Sequence, residues 1–306
     1  VWWYCIFTYR LENMIFNKFF ILFKIGRKIG KSNIINIISE THKIPVFIKI
    51  FFDLLAFSFS SSKDTKSKSK DNLSTSIQEM GTTFIKLGQF LATRPDIIGE
   101  KLSKELVSLQ DKLPPFSKKE AEKIIIENLG QSNFDDIIDL SEPIAAASIA
   151  QVHKAKIKED NIIKNVAIKV LRPNIKKIFN DEIDAIMLLA YIIENLITKT
   201  KRLKLIEVVF LFKEITNHEM DLRFEAAAAN EYAENTKNDL GFFVPKIYWN
   251  FTSESVLTLD WVDGVSIREK DLLKEKNIET SKIATNLIQH FLRHAVRDGF
   301  FHADMH

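Results

Sequence analysis

The sequence predicts an α+β fold, with strands and helices in separate stretches. Three observations lead there. Apolar residues recur at three- and four-residue spacing over 74–94, the pattern of a helix buried along one stripe. Two β-like runs, Gln151–Ile157 and Asn165–Leu171, flank a polar turn around Glu159–Asn161. Helical stretches at about 174–199 and 203–236 precede a second strand pair, Phe242–Asn250 and Ser255–Trp261. The strands pair with one another and do not alternate singly with helices, so a doubly wound βαβ sheet is excluded.

Composition sets the outer bounds. The chain has 306 residues, 46% hydrophobic and 27% charged, enough for one large domain or two small ones. Its 43 basic and 40 acidic residues give a net charge of +3, too even for a nucleic-acid surface. The single Cys5 has no partner within the chain, which suits a reducing compartment. No run of about 18 uncharged apolar residues marks a spanning helix. The chain reads as a fragment: Val1 stands ahead of the first Met, Met14, and the last residues, Phe300–His306, carry no cap or polar tail.

Taken in order, residues 1–57 form a hydrophobic segment punctuated by charge. Val46–Phe57 is too short to span a bilayer; with Lys18, Lys24, Arg27, Lys28 and Lys31 it could lie on a membrane surface, or it could be a helix packed on the protein. Residues 58–76, rich in Ser and Lys, are a polar linker. Residues 77–140 are a helical extension. Ile77, Met80, Phe84, Leu87 and Leu91 make its apolar stripe; Thr82, Lys86, Gln89 and Thr93 fall on a polar one, and Pro95 ends the helix. A further helix follows Pro114-Pro115, with a capping box at Ser117 and Glu120 and Gly130 past its end. Residues 141–264 carry the strands and close on the turn Val262-Asp263-Gly264; residues 265–306 begin a second, helical lobe. There the helix 281–298 presents Ile283, Leu287, Phe291 and Ala295 as its apolar face.

Four places carry chemistry. Alternation puts Ala167 and Lys169 on one face of their strand, with Val166, Ile168 and Val170 on the other. A lysine projecting from a buried strand needs an anionic partner, either phosphate or carboxylate, although alone Lys169 reads more readily as a lysine on an exposed strand face. Glu219, Asp221 and Glu225 lie on one predicted helix, where Asp221 and Glu225 form a like-charge pair that wants cations such as Lys169 and Lys86. Asp304, in His302-Ala303-Asp304-Met305-His306, suits a base that orients an acceptor in phosphoryl transfer. The alternating His302, Asp304 and His306 could also be metal ligands, but no other His or Cys cluster completes a site, so none is assigned. Last, Ile144-Ala145-Ala146-Ala147-Ser148-Ile149-Ala150-Gln151-Val152 leads into the first strand as a small-residue run.

Over residues 74–306 these motifs resemble the UbiB/ADCK family of atypical protein-kinase-like proteins. Lys86-Leu87-Gly88-Gln89, set within Phe84–Asp96, matches that family's KxGQ motif. Ala145–Ser148 matches the Ala-rich loop that replaces a kinase Gly-rich loop; Lys169 matches the strand lysine, Glu219 and Asp221 the ExD pair, Glu225 the helix glutamate, Asp260 and Gly264 the hinge, and Asp304 the catalytic-loop aspartate. The resemblance implies a protein-kinase-like fold: a small β-rich lobe with helical insertions, the start of a helical lobe, and a helical N-terminal extension. It implies ATP and Mg2+, with Ile144–Val152, Lys169, Glu225 and Asp260 around the nucleotide and the metal ligands beyond His306, so the chain as it stands is expected to be inactive. It also implies that the KxGQ helix covers the active site, with Lys86 facing Glu219 and Asp221. The function it implies is an ATPase or kinase supporting ubiquinone biosynthesis at the cytoplasmic face of the bacterial inner membrane. The implied partners are adenine nucleotide, the membrane surface, an isoprenoid lipid and ubiquinone-biosynthesis enzymes, with no nucleic acid. The alternative is a nucleotide-dependent scaffold for membrane enzymes without phosphoryl transfer. A small-molecule kinase of the aminoglycoside phosphotransferase type would share an H-x-D loop, but Lys86–Gln89 and the Ala-rich loop speak against it.

Overall fold

The computed structural model describes residues 21–30, 73–107, 109, 113–196, 198–267 and 269–302. Expectations for 1–20, 31–72 and 303–306, among them the segment 46–57, most of the linker and Asp304, lie outside the described residues.

In chain order the helices are α1 (21–30), α2 (Leu73–Met80), α3 (Thr82–Ala92), α4 (Pro95–Ile98), α5 (Glu100–Leu106), α6 (Lys118–Leu129), α7 (Gln131–Asp135), α8 (Ile175–Leu196), α9 (Leu205–Glu219), α10 (Leu222–Thr236), α11 (Lys270–Glu275) and α12 (Thr280–Arg293). The strands are β1 (Ile137–Ile138), β2 (Pro143–Ala146), β3 (Ala150–Glu159), β4 (Ile162–Leu171) and β5 (Val256–Asp260). Among the described residues no helix is long and apolar enough to cross a membrane. The chain divides into two compact units.

The first unit is helical. It takes the described residues up to Leu113, with Ala147–Ile149 and Asn174–Asn217. The single helix expected over 74–94 is two helices, because Gly81 takes φ 103°, a value that breaks the helix and suits a residue without Cβ. The expected stripe survives the break: Met80 and Phe84 are buried, and Ile77, Leu87 and Leu91 line an apolar cavity of about 200 Å³ with them. The linker ends earlier than expected, since α2 already buries Leu73, Ser74 and Ser76. Phe212 of α9 packs between Phe90 and Phe179, at ring distances of 5.6 and 6.1 Å. Lys28 ties α1 to this unit through the Met80 carbonyl at 2.8 Å and Glu182 at 3.4 Å.

The second unit takes Pro114–Ala146, Ala150–Pro173 and the described residues from His218 onwards. Its five-stranded sheet is antiparallel, ordered β1-β3-β4-β5, with β2 also pairing β3. The β3–β4 hairpin turns on Asp160 and Asn161, whose φ of 50° and 62° make the two-residue turn that matches strand twist. The expected alternation holds: Val166, Ile168 and Val170 have no exposed surface and pack with Ile125, Ile157, Tyr248, Phe251 and Val256. α6 has the expected capping box, Ser117 Oγ and Glu120 each accepting from the other's backbone N–H, and ends on Gly130 at φ 83°. Such a cap is worth about 1 kcal/mol.

Three expectations in this unit are corrected. Phe242–Asn250 is no strand: it makes one bridge, Ile247 to Leu259, and then tightens into a 3₁₀ turn at Trp249–Phe251. Pro245 removes one ladder donor there, and the turn ends the pairing. The helix expected over 203–236 is interrupted after Glu219, so Asp221 is not a helical neighbour of Glu225; it is the extended residue that caps α10. Third, α12 ends in a π-turn at His294–Asp298, and its buried positions are His290 and His294, while Leu287 on the expected apolar face is 43% exposed.

Candidate functional site

The site grows from the face of β4 that the core does not use. Lys169 projects from it, directly across the ladder from Val152 on β3 and Leu257 on β5. Opposite stands the first turn of α10. Asp221 caps that helix, accepting from the Arg223 backbone N–H at 3.1 Å and from its guanidinium at 2.9 and 2.7 Å. The Leu222 N–H donates to the Glu254 carbonyl at 3.0 Å, pinning the helix start beside β5. So held, α10 offers Glu225, whose two oxygens accept from Lys169 Nζ at 2.9 and 2.7 Å. Both side chains keep solvent contact, 27% for Lys169 and 49% for Glu225, so the pair contributes at most about 1 kcal/mol to stability. Its consequence is aim: a cation is fixed at a rigid strand position and left accessible to an anion.

The Ala-rich run is partly strand. Ala145 and Ala146 pair with Val152 and Gln151, and Ile144 beside them is half exposed. The turn Ala147–Ile149 belongs to the helical unit. There the Thr82 hydroxyl donates to the Ser148 carbonyl at 3.3 Å, and Ser148 is fully buried with its own hydroxyl unpartnered. Ala150 and Gln151 are buried as β3 begins. The Gln151 amide accepts from the Phe116 N–H at 3.0 Å and meets His153 Nε2 at 2.9 Å, so its side chain faces the sheet's interior contacts. His153 is fully buried, its Nδ1 within 2.8 Å of the Ser141 carbonyl, and burial pushes its pKa below the ordinary value.

Asp260 ends β5. It accepts from the Tyr248 phenol at 2.6 Å and the Lys246 N–H at 3.2 Å; burial first, and then this bond, push the Tyr248 phenol well above its usual range. Lys86 and Gln89 lie half-buried on α3 in the first unit, while Glu219 and Asp221 belong to the second. Gly88 between them is a packing glycine: a Cβ there would stand 2.4 Å from the Leu109 Cδ1.

The structure also assembles a cluster that the sequence reading missed. Tyr232 on α10, Asp239, and His290 and His294 on α12 and its π-turn come together. Asp239, His290 and His294 have ligand atoms within 4.8 Å of one another. They do not suit a metal ion, because Asp239 already accepts from Arg297 at 2.8 and 2.9 Å and lies 3.5 Å from Arg293. Arg297 above all, then His294 and Arg293, holds the Asp239 carboxyl far below the carboxylate range. A dication there would meet two guanidiniums. Histidines four apart, His290 on α12 and His294 in its π-turn, were the available signal; the partners of His294 lie more than fifty residues earlier.

A β-rich lobe whose strand lysine is ion-paired to the first turn of a packed helix is a protein-kinase-like fold. The chain belongs to the ABC1 atypical kinase-like domain family, which it matches over residues 108–306. It is 33% identical over 265 residues to a probable protein kinase UbiB of Marinobacter nauticus, covering 86% of this chain and 48% of that one. With the Azotobacter vinelandii protein of the same name it shares 35% over 236 residues, 75% of this chain and 42% of that one. The chain spans about half the length of the curated relatives it matches. Among solved structures, the Rv3197–erythromycin complex from Mycobacterium tuberculosis covers 60% of this chain and 44% of its own, at 26% identity and a TM-score of 0.40.

Proposed function

We propose that the protein is an ATP-using, atypical kinase-like enzyme supporting ubiquinone biosynthesis. The observation that carries this is the Lys169–Glu225 pair: a strand cation held by a helix carboxylate, across the ladder from Val152. Nucleotide phosphates fit that arrangement, since Lys169 is positioned and partly solvated. ATP supplies the phosphoryl group when bound; Asp304 is the carboxylate assigned to orient the acceptor or water, with Mg2+ as the counter-charge. Lys86, Glu219 and Asp221 are assigned to restraining that chemistry. The pathway follows the name carried by the relatives, and with it come the cytoplasmic face of the bacterial inner membrane, an isoprenoid lipid and neighbouring biosynthetic enzymes as surroundings.

The test is nucleotide-dependent phosphate release by full-length protein, compared with Asp304→Ala and Lys169→Ala. Release lost in Asp304→Ala supports the enzyme. Nucleotide binding that needs Lys169, with no release from wild type, supports instead a nucleotide-dependent scaffold. The observation favouring that second reading is the alanines at 145–147, which bring backbone amides to phosphate less freely than glycines do.

A further inference from the structure

Gln151 has no exposed surface, yet its side-chain amide bonds to the Phe116 backbone and to His153. In the ladder it lies between Ala146 on β2 and Val170 on β4, so it shares the buried face of the sheet with Val170 and points away from the Lys169 side. Its orientation follows from what its partners can do. The Phe116 N–H only donates, so it meets Oε1, at 3.0 Å. The Gln151 Nε2 then donates to the Phe116 carbonyl at 3.3 Å and to His153 Nε2 at 2.9 Å. An amide nitrogen only donates, so His153 Nε2 accepts and the ring proton sits on Nδ1. The other end agrees: Nδ1 lies 2.8 Å from the Ser141 carbonyl, which only accepts. Ser141 is itself fixed, its N–H donating to the Lys154 carbonyl at 2.8 Å and its hydroxyl accepting from the Lys154 N–H at 2.9 Å. The network thus admits one state, a neutral His153 with its proton on Nδ1. A proton on Nε2 would set two donors against each other, and turning the amide over would set its NH2 against the Phe116 N–H.

The strap that Gln151 holds, residues 114–116, leads into α6. Arg172, just past β4, grips it again, donating to the Pro114 carbonyl at 3.0 Å with its guanidinium 5.9 Å from the centre of the Phe116 ring. Among the described strands β2, with Ala145 and Ala146, pairs with β3 alone. Val152, next to Gln151, stands across from both Ala145 and Lys169. We propose that Gln151, held in one orientation by neutral His153, is a positioning residue: it pins the strap 114–116 to the buried face of β3 and so fixes the strand beside which Ala145 and Lys169 are placed. This rests on the reading of those two residues as part of the nucleotide site. Burial above all disfavours a proton on His153; the charged groups acting on it are Glu142 ahead of β2 and Lys118 and Glu122 on α6. Acid strong enough to protonate His153 therefore unpins the strap.

The experiment uses full-length protein with MgADP as the nucleotide. It reads the exchange protection of the Phe116 amide, the ring-nitrogen NMR signals of His153, and the Kd. Wild type should show the Nδ1–H form at neutral pH, and Phe116 protection should fall as His153 takes a proton on acidification below about pH 6.5. Gln151→Met, which keeps the shape without the bonds, should lower Phe116 protection about tenfold and weaken MgADP binding about fivefold. Gln151→Glu keeps an acceptor for the Phe116 N–H but cannot donate to His153. His153 should then carry a proton on Nε2 at neutral pH, and binding should weaken less than in Gln151→Met. A glutamine that merely fills the core would not move the histidine signals. An Nε2–H form in wild type at neutral pH, or wild-type Phe116 protection in Gln151→Met, overturns the proposal, as does lost protection with an unchanged Kd. If Gln151→Met does not fold, the wild-type titration decides, and protection that ignores the protonation of His153 overturns the anchor. If wild type binds no MgADP, the nucleotide reading falls, and the Phe116 and His153 measurements decide the anchor by themselves.

Discussion

Lys169 Nζ lies 2.7 and 2.9 Å from the two carboxylate oxygens of Glu225, although 56 residues separate them in sequence. Two features of the second unit set this pair. β4 buries its other face, which leaves Lys169 no inward alternative. Asp221 stops the preceding helix and starts α10, so Glu225 falls in a first turn, where a carboxylate is also favoured by the helix dipole.

Lys169→Ala should weaken binding of adenine nucleotide about tenfold or more, the order expected when a charged hydrogen-bond partner is lost. Glu225→Gln should weaken it less, because the cation remains and only its orientation relaxes. Calorimetric titration of both variants checks this; equal affinities for wild type and Lys169→Ala would count against a phosphate role for the lysine.

Ala145→Gly should raise nucleotide affinity or expose self-phosphorylation, since glycine relaxes the backbone that alanine stiffens. Ala145 is paired with Val152, so a small loss of strand stability should accompany the gain. Fluorescent-nucleotide binding and melting curves measure the two effects separately. Unchanged binding and unchanged self-phosphorylation would make the alanines mere packing.

Gly88→Ala should destabilise the protein by about 1 kcal/mol. The helix-propensity gain of about 1 kcal/mol is opposed by overpacking of about 1–3 kcal/mol, because the new methyl meets Leu109, which is only 7% exposed. Adding Leu109→Ala should recover the propensity gain and lose Leu109's own burial. Denaturant unfolding of the single and double variants gives the coupling.

His153 should titrate below the ordinary histidine value of about 6.5. Burial favours its neutral form in the folded protein, so the unfolded chain binds the proton more tightly. Stability is therefore unaffected well above pH 6.5 and falls as pH drops below about that value. Melting temperature followed from pH 7.5 to 5 in wild type and His153→Gln checks the sign: the variant should lose less over that range.

Much was legible in the sequence because it is local. Alternation along β4 separated Lys169 from Val166, Ile168 and Val170, and Ser117 with Glu120 marked the start of α6. The stripe from Ile77 to Leu91 was read correctly even though the helix carrying it is broken, since side-chain periodicity survives one residue at positive φ. The tertiary structure decided the rest. Gly81 takes φ 103° and Asp221 becomes a cap, choices that depend on what the flanking helices pack against. Phe242–Asn250 has the composition of a strand but makes one bridge, because Pro245 and the following turn deny it a ladder. His290 and His294 are buried where apolar neighbours were expected to be, since Tyr232, Phe242 and Asp239 are brought to them from more than forty residues away. Periodicity ranks residues by hydrophobicity along one element; a polar side chain is buried when its partners arrive through the fold, and those partners are not written beside it.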